Sequence, residues 1–351
     1  MEAWFLREWQ QGSAWQIVLR PLSWLYALLT ALRRLLYRIG LFNVERVDVP
    51  VIVVGNITVG GTGKTPLVLA IVQHLQKSGR RCGIISRGYT RESASAQGTV
   101  IHVAPDAGDS PRRPAFSDEA TLLATRSGVP VYVAADRPAA ARALLAAHPD
   151  VDVIISDDGL QHYALHRDIE ICVIDGARGF GNAALLPAGP LREPQSRLAR
   201  IDAILVNGIS ANPQWSVSAI APHIPSFSMA LGNELLVRVR DKAKLSMEEG
   251  VAAFSGRKIV AIAGTGNPSR FFAHLSTLGL APGATHAFPD HHPYTAADFE
   301  PLNADIIVMT EKDAVKCKRF ADDRMWFMRV DAILPDTFGD FIVKRLAELE
   351  K

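Results

Sequence analysis

Cysteine is scarce: Cys82, Cys172 and Cys317 are the only three in 351 residues, far apart and each beside apolar residues or in a helix-like stretch. They lack the spacing of a metal site and need no disulfide, which argues against structural zinc and fits a reducing compartment. An excess of one charge is also missing. Lys+Arg number 38 against 36 Asp+Glu, and the resulting net charge of +2 argues against a protein that coats a polyanion, so no nucleic-acid partner is expected. Nor is any early apolar run long enough to cross a bilayer. Between Arg20 and Arg33 lie 12 uncharged residues, whereas a spanning helix needs about 20. The length and the 48% hydrophobic content do suffice for two domains with real cores.

What basic excess exists is local. Arg7, Arg20, Arg33, Arg34, Arg38 and Arg46 crowd the N-terminus, together with Trp4, Trp9, Trp15 and Trp24, four of the six tryptophans. Tryptophan and arginine at this density suit the headgroup level of a membrane, so residues 1–48 are expected to form an amphipathic helical segment lying on lipid rather than spanning it. A cleaved signal peptide is disfavoured by Glu2, by arginines throughout, and by the lack of a small-x-small site. An ordinary helix packed on the protein's own core is the competing reading, and the two are compatible if one face packs while the other meets lipid.

The most specific pattern follows the strand-like Val51-Ile52-Val53-Val54. The run Gly55-Asn56-Ile57-Thr58-Val59-Gly60-Gly61-Thr62-Gly63-Lys64-Thr65-Pro66 then opens a helix-like stretch. Glycines let backbone N–H groups curl around phosphate oxygens, the helix start faces negative charge, Lys64 reaches terminal phosphates and the Thr65 hydroxyl can ligate Mg²⁺. Thr58 stands where the usual spacing has glycine, with Gly60 and Gly61 partly compensating. The plain alternative is a glycine-rich turn. Residues 58–65 are the candidate nucleotide cradle, and ATP with Mg²⁺ the expected ligand.

Short β-rich runs separated by helix-length segments continue to about residue 220, which predicts a doubly wound parallel sheet of the phosphate-loop NTPase kind over residues 49–220. Residues 221–256 read as a linker, most simply a β-hairpin around Leu236-Val237-Arg238-Val239-Arg240. Residues 257–351 repeat the α/β alternation and predict a second, smaller α/β domain, closing over the active site. Gly264-Thr265-Gly266-Asn267-Pro268 reads as a helix-entry turn, since a dinucleotide turn would need a third glycine.

Several polar clusters fall where chemistry is expected. Asp157-Asp158-Gly159-Leu160-Gln161-His162 ends a hydrophobic strand, the place for carboxylates that organise Mg²⁺ beside a phosphate loop. Ser117-Asp118-Glu119-Ala120 starts a helix, where the acids either cap it or take a proton from an acceptor hydroxyl. Phe288-Pro289-Asp290-His291-His292-Pro293-Tyr294 reads as a loop contacting substrate, with a plain surface loop and a metal pair as alternatives. Thr310-Glu311-Lys312-Asp313-Ala314-Val315-Lys316 starts a helix suited to orienting that loop or presenting Lys312 to phosphate, with a capped and solvated first turn as the plain alternative. Ser86-Arg87-Gly88-Tyr89 and Gly189-Pro190-Leu191-Arg192-Glu193-Pro194 supply arginines for an anionic substrate, and Glu193 is a candidate for the metal shell.

In this order the motifs resemble the tetraacyldisaccharide 4′-kinase family of lipid A biosynthesis, from the N-terminal segment to Lys316. The resemblance implies transfer of a phosphoryl group from Mg-ATP to the 4′-hydroxyl of a lipid A disaccharide 1-phosphate, at the cytoplasmic face of the bacterial inner membrane, with no obligate protein partner. It implies Asp118 as the base, with Glu119 beside it and His291 rather than His292 as its partner. Lys64 and Thr65 would hold phosphates and Mg²⁺, with Asp157, Asp158 and Glu193 completing the metal surroundings and His162 steering nucleotide or sugar. Asn56, Arg87, Tyr89, Arg192 and His292 would contact the substrate. Ser117 and Ala120 depart from the glycine and proline that the family commonly carries around the acids. The rival reading is a membrane-associated nucleotide switch or a maturation NTPase, many of which carry lysine where this chain has Val59.

Overall fold

The computed structural model describes residues 8–9, 14–87, 99–104, 117–209 and 216–350. A long helix α1 (Ala14–Arg38) precedes β1 (Val51–Gly55), α2 (Lys64–Lys77), β2 (Cys82–Ser86) and β3 (Ile101–His102). Next come α3 (Asp118–Ser127), β4 (Val131–Val133), α4 (Arg137–Ala147), β5 (Val153–Asp157), β6 (Ile169–Asp175), β7 (Ala203–Asn207) and the one-turn α5 (Val217–Ile220). The long β8 (Ser226–Arg238), then β9 (Lys244–Ser246), α6 (Met247–Ala253), β10 (Ile259–Ala263), α7 (Pro268–Thr277) and β11 (Ala284–Ala287) follow. The chain closes with β12 (Ile306–Thr310), α8 (Glu311–Cys317), β13 (Met325–Ile333) and α9 (Asp336–Leu349).

Two compact units result, the first made of residues 1–103, 127–231 and 332–351, the second of 104–126 and 232–331. From sequence, residues 104–126 read with the 49–220 core and 332–351 with the smaller domain. The side chains explain the grouping seen. Arg126 on α3 pairs with Glu311 at 2.8 Å and with Asp331, both in the second unit. On α9, Arg345 bonds Asp202 at 2.8 Å and Phe338 meets Phe227 edge-on, both in the first. Gly339 lies so close to α2 that a Cβ there would stand 2.2 Å from the His74 ring.

In the first unit β8, β7, β6, β1, β5, β2 and β4 lie side by side, all parallel, with β3 antiparallel on the outer edge. The fold is thus mixed α/β with a mostly parallel sheet. Strands β1, β5 and β6 are buried along their whole length, which is why they read as continuous apolar runs rather than alternating ones. Parallel register brings the C-terminal ends of β1, β5, β6 and β7 to one edge, so the loops that follow them converge.

The second unit has its own parallel sheet, β11-β10-β12-β13, and a core containing Tyr294, Phe299, Ile307, Met309 and Phe327. The second half of β8 forms an antiparallel hairpin with β9. Strand β11 and helix α6 are not legible from sequence. All four residues of β11 are exposed, so no apolar period marks it.

Helix α1 docks by one face. Ser23 donates to the Leu185 carbonyl and accepts from the Ala188 N–H, both at 2.9 Å, and the Tyr26 hydroxyl donates to the Arg192 carbonyl at 3.1 Å. Trp15, Trp24, Leu25, Leu28, Leu29 and Leu32 are exposed. Among the described residues no helix is long and apolar enough to cross a membrane.

Candidate active site

The glycine-rich loop between β1 and α2 is shaped by two left-handed glycines, Gly60 at φ 92° and Gly63 at φ 91°, a region costly for any residue with a Cβ. At Gly63 a Cβ would also meet the Asn207 amide at 2.6 Å. The turn at Gly63 releases the chain into α2, whose first residues are Lys64 and Thr65. Before the turn the loop is paired with the 190–192 segment: the Val59 N–H donates to the Pro190 carbonyl at 2.9 Å, and the Arg192 N–H to the Ile57 carbonyl at 2.7 Å. Asn56 is buried and reaches across the loop, its amide 3.4 Å from the Gly60 carbonyl.

Asp157 ends β5 and is buried, with the Ser86 hydroxyl at 3.4 Å. Asp158 follows at φ 49° and turns towards two cations, with Lys64 Nζ at 3.4 Å and Arg192 Nη1 at 3.3 Å. Burial pushes the Asp158 carboxyl up, but Lys64 and Arg192 outweigh it and hold the pKa below its ordinary value. Gly159 lets this corner close, since a Cβ there would stand 2.5 Å from Ser156 Oγ. His162 is held neutral: burial, with Arg137 and Arg87 near, drives its pKa down to about 3. Its place is therefore that of a neutral hydrogen-bonding group.

Glu193 is engaged elsewhere. Its carboxylate accepts from the Gln161 amide at 3.1 Å and from the Tyr163 hydroxyl, and pairs with Arg34 of α1 at 3.5 Å. Expected as a metal ligand, it holds contacts here that tie α1 and the 190–194 segment together. Arg87 follows β2, and Tyr89 lies outside the described residues.

Sequence reading missed three residues here. Arg178, after β6, donates to the Gly61 carbonyl and is itself held by Asp175 at 3.2 Å. Asn207, ending β7, donates to the Thr62 carbonyl at 3.1 Å. Arg137, almost fully buried, donates to the Asp157 carbonyl at 2.9 Å, and burial lowers its pKa to about 10. An acid or amide at the tip of β6 and β7 was the available signal, by the same rule that singled out Asp157.

The second cluster lies in the other unit. Asp118 opens α3, and His291 Nδ1 is 3.2 Å from its Oδ2. His291 sits at φ 60°, and its own N–H donates to Asp290 Oδ1 at 3.0 Å. Lys312 spans Glu119 at 3.0 Å and Asp290 at 3.1 Å, joining the helix start to the histidine loop. His292 turns the other way, towards Asp298 at 3.4 Å, with its ring against Phe288 and Tyr294. A substrate contact was expected of His292, whose side chain is 23% exposed beside these rings. Burial would raise the Asp118 pKa, but the His291 hydrogen bond, Lys316 and Lys312 hold it below its ordinary value. The same bond raises that of His291.

A strand, a glycine-rich loop opening a helix at Gly-Lys-Thr, and paired aspartates at a neighbouring strand end mark a mixed α/β protein with a mostly parallel sheet, here carrying an Asp–His pair besides. The family model for tetraacyldisaccharide-1-P 4′-kinase matches residues 15–347, and the chain belongs to that family. It is similar to the tetraacyldisaccharide 4′-kinase of Methylobacillus flagellatus, at 48% identity over 99% of this chain and 96% of that one. That of Herminiimonas arsenicoxydans is 46% identical over 99% of this chain and 96% of its own. The crystal structure of LpxK from Aquifex aeolicus in complex with ATP is similar at a TM-score of 0.76 and 29% identity, covering 94% of this chain and 99% of that one.

Proposed function

We propose that this chain transfers the γ-phosphate of ATP to the 4′-hydroxyl of a tetraacyldisaccharide 1-phosphate in lipid A biosynthesis, with Asp118 as the base for the acceptor hydroxyl. Family membership supports the reaction, and the Asp118–His291 contact at 3.2 Å carries the assignment of the base. The core around the phosphate loop is read as doubly wound and NTPase-like, with residues 58–65 as the ATP cradle. The ATP in the related crystal structure supports that ligand.

Little covalent chemistry is asked of the protein in phosphoryl transfer; positioning and charge neutralisation supply most of the acceleration. Lys64 and the backbone N–H groups of the loop hold phosphate oxygens. Thr65, Asp157 and Asp158 are hard oxygen donors, the set that suits Mg²⁺ with several waters retained. When bound, Mg²⁺ neutralises charge on the phosphates. Asp118 takes the hydroxyl proton. His291 and Lys316 both face Oδ2, so Oδ1 is the oxygen directed to that task.

The exposed apolar face of α1, bordered by Arg20 and Arg33, supports seating on a lipid surface, read here as the cytoplasmic face of the inner membrane. The metal assignment is tested by the Mg²⁺ concentration giving half-maximal transfer. Asp157→Asn is expected to raise it about tenfold or more; an unchanged requirement would remove Asp157 from the metal set.

A further inference from the structure

We propose that Lys316 is a positioning residue for the phosphoryl-transfer reaction, tethering the Asp118 carboxylate to the buried Asp313 so that Asp118 keeps its orientation towards His291. The inference rests on the reading of Asp118 as the base.

Asp313 is fully buried on α8 and fixed from several sides. Its Oδ2 accepts from the Gly264 N–H at 3.0 Å and from the Thr310 hydroxyl at 2.6 Å, while its own N–H donates to Thr310 Oγ1 at 3.2 Å. The close approach requires glycine at 264: a Cβ there would stand 2.8 Å from the Tyr294 hydroxyl and 3.0 Å from Asp313 Oδ1. One turn further along α8, Lys316 Nζ lies 3.0 Å from Asp313 Oδ1 and 3.6 Å from Asp118 Oδ2, above the Tyr294 ring at 4.9 Å. Its side chain is only 12% exposed.

A buried aspartate needs a counter-charge, and that alone would explain a Lys316–Asp313 pair. It does not explain the placement of the ammonium, which is within ion-pair range of both carboxylates but makes no well-aligned hydrogen bond to either. The surroundings of Asp118 sharpen the point. His291, Lys316 and Lys312 act on it, with Asp290 beside His291 and Lys312, Asp313 beside Lys316, and Glu119 beside Lys312. Lys312 already serves Glu119 and Asp290. Lys316 is therefore the cation of this cluster whose second carboxylate is Asp118. A cation there disfavours protonation of Asp118, as its lowered pKa accords.

The test compares Lys316→Met, Lys316→Arg, Asp118→Asn and the Lys316→Met/Asp118→Asn double variant in the full chain, reading 4′-phosphate transfer against pH, the KM for ATP and thermal stability. Lys316→Met is expected to lower kcat about tenfold and to move the acid limb of the profile upward by about half a pH unit or more, at unchanged KM for ATP. Lys316→Arg should keep the limb at its wild-type pH. The double variant should be no slower than Asp118→Asn alone, because a residue acting through Asp118 has nothing left to position. A folded Lys316→Met with an unmoved limb, or a double variant slowed by the further full factor, would overturn the proposal. Should Lys316→Met not fold, Lys316→Arg decides: a limb in place supports it and a displaced limb overturns it. Wild-type turnover in Asp118→Asn would instead remove the base reading itself, and this inference with it.

Discussion

Asp118 is largely enclosed yet ionised, because one hydrogen bond to His291 and two lysines outweigh the cost of burial. As general bases contribute about 10²- to 10⁴-fold, Asp118→Asn is expected to cost at least about a hundredfold in kcat, with little change in ATP affinity measured by calorimetry. The pH dependence of stability follows from the two opposite shifts. Asp118, held low, contributes stability above its unfolded pKa and loses it as pH falls through the folded one. His291, held high, contributes below its unfolded value and loses it as pH rises through the raised folded one. The pair is therefore fully formed in mildly acidic solution. His291→Ala should lower Tm more at about pH 5.5 than at about pH 8.5, as scanning calorimetry would register; an equal loss at both would contradict the ion pair. The motif residues themselves were legible in sequence, since Gly-Lys-Thr and Asp-Asp-Gly carry their chemistry locally. Arg178, Asn207 and Arg137 were not. The tips of β6 and β7 offered Asp175 and Asn207 as candidates, but their pairing with the loop, and that of Arg137 with Asp157, joins residues apart in the chain and was not readable from one sequence.

At the level of elements, the glycine-rich loop proposed to cradle ATP is a turn whose carbonyls at Gly61 and Thr62 are held by Arg178 and Asn207. Losing a buried hydrogen bond loosens such a loop more than it unfolds the sheet. Asn207→Ala should raise the KM for ATP about three- to tenfold with the sheet's circular dichroism unchanged. The buried strands were readable as unbroken apolar runs. The edge elements were not: β11 is exposed on both faces, and α6 begins with a capping box at Ser246 and Glu249 inside a stretch without a clear period. Helix α1 packs on the protein's own core through Ser23 and Tyr26 and leaves Trp24 and Leu28 exposed, the face for which lipid contact is proposed. Replacing Trp24 and Leu28 by glutamate should reduce cosedimentation with anionic vesicles severalfold while leaving Tm nearly unchanged, because neither side chain is buried. A large fall in Tm instead would mean that this face packs on protein.

For the whole molecule, the chain leaves and re-enters each compact unit, and this was the least legible feature. The Asp118 helix, between strands of the first unit in sequence, belongs with the second through Arg126, Glu311 and Asp331. One consequence is that the proposed base and its histidine are assembled within a single unit, while the phosphate loop is assembled in the other. The central claim is lipid phosphorylation that depends on Asp118. It is tested most directly by following labelled γ-phosphate from Mg-ATP to a detergent-solubilised tetraacyldisaccharide 1-phosphate, with wild type and Asp118→Asn side by side. The account predicts product labelled at the 4′ position in the wild type and a collapse of that product in the variant. Unlabelled lipid with ATP consumed, or equal labelling by both proteins, would contradict it.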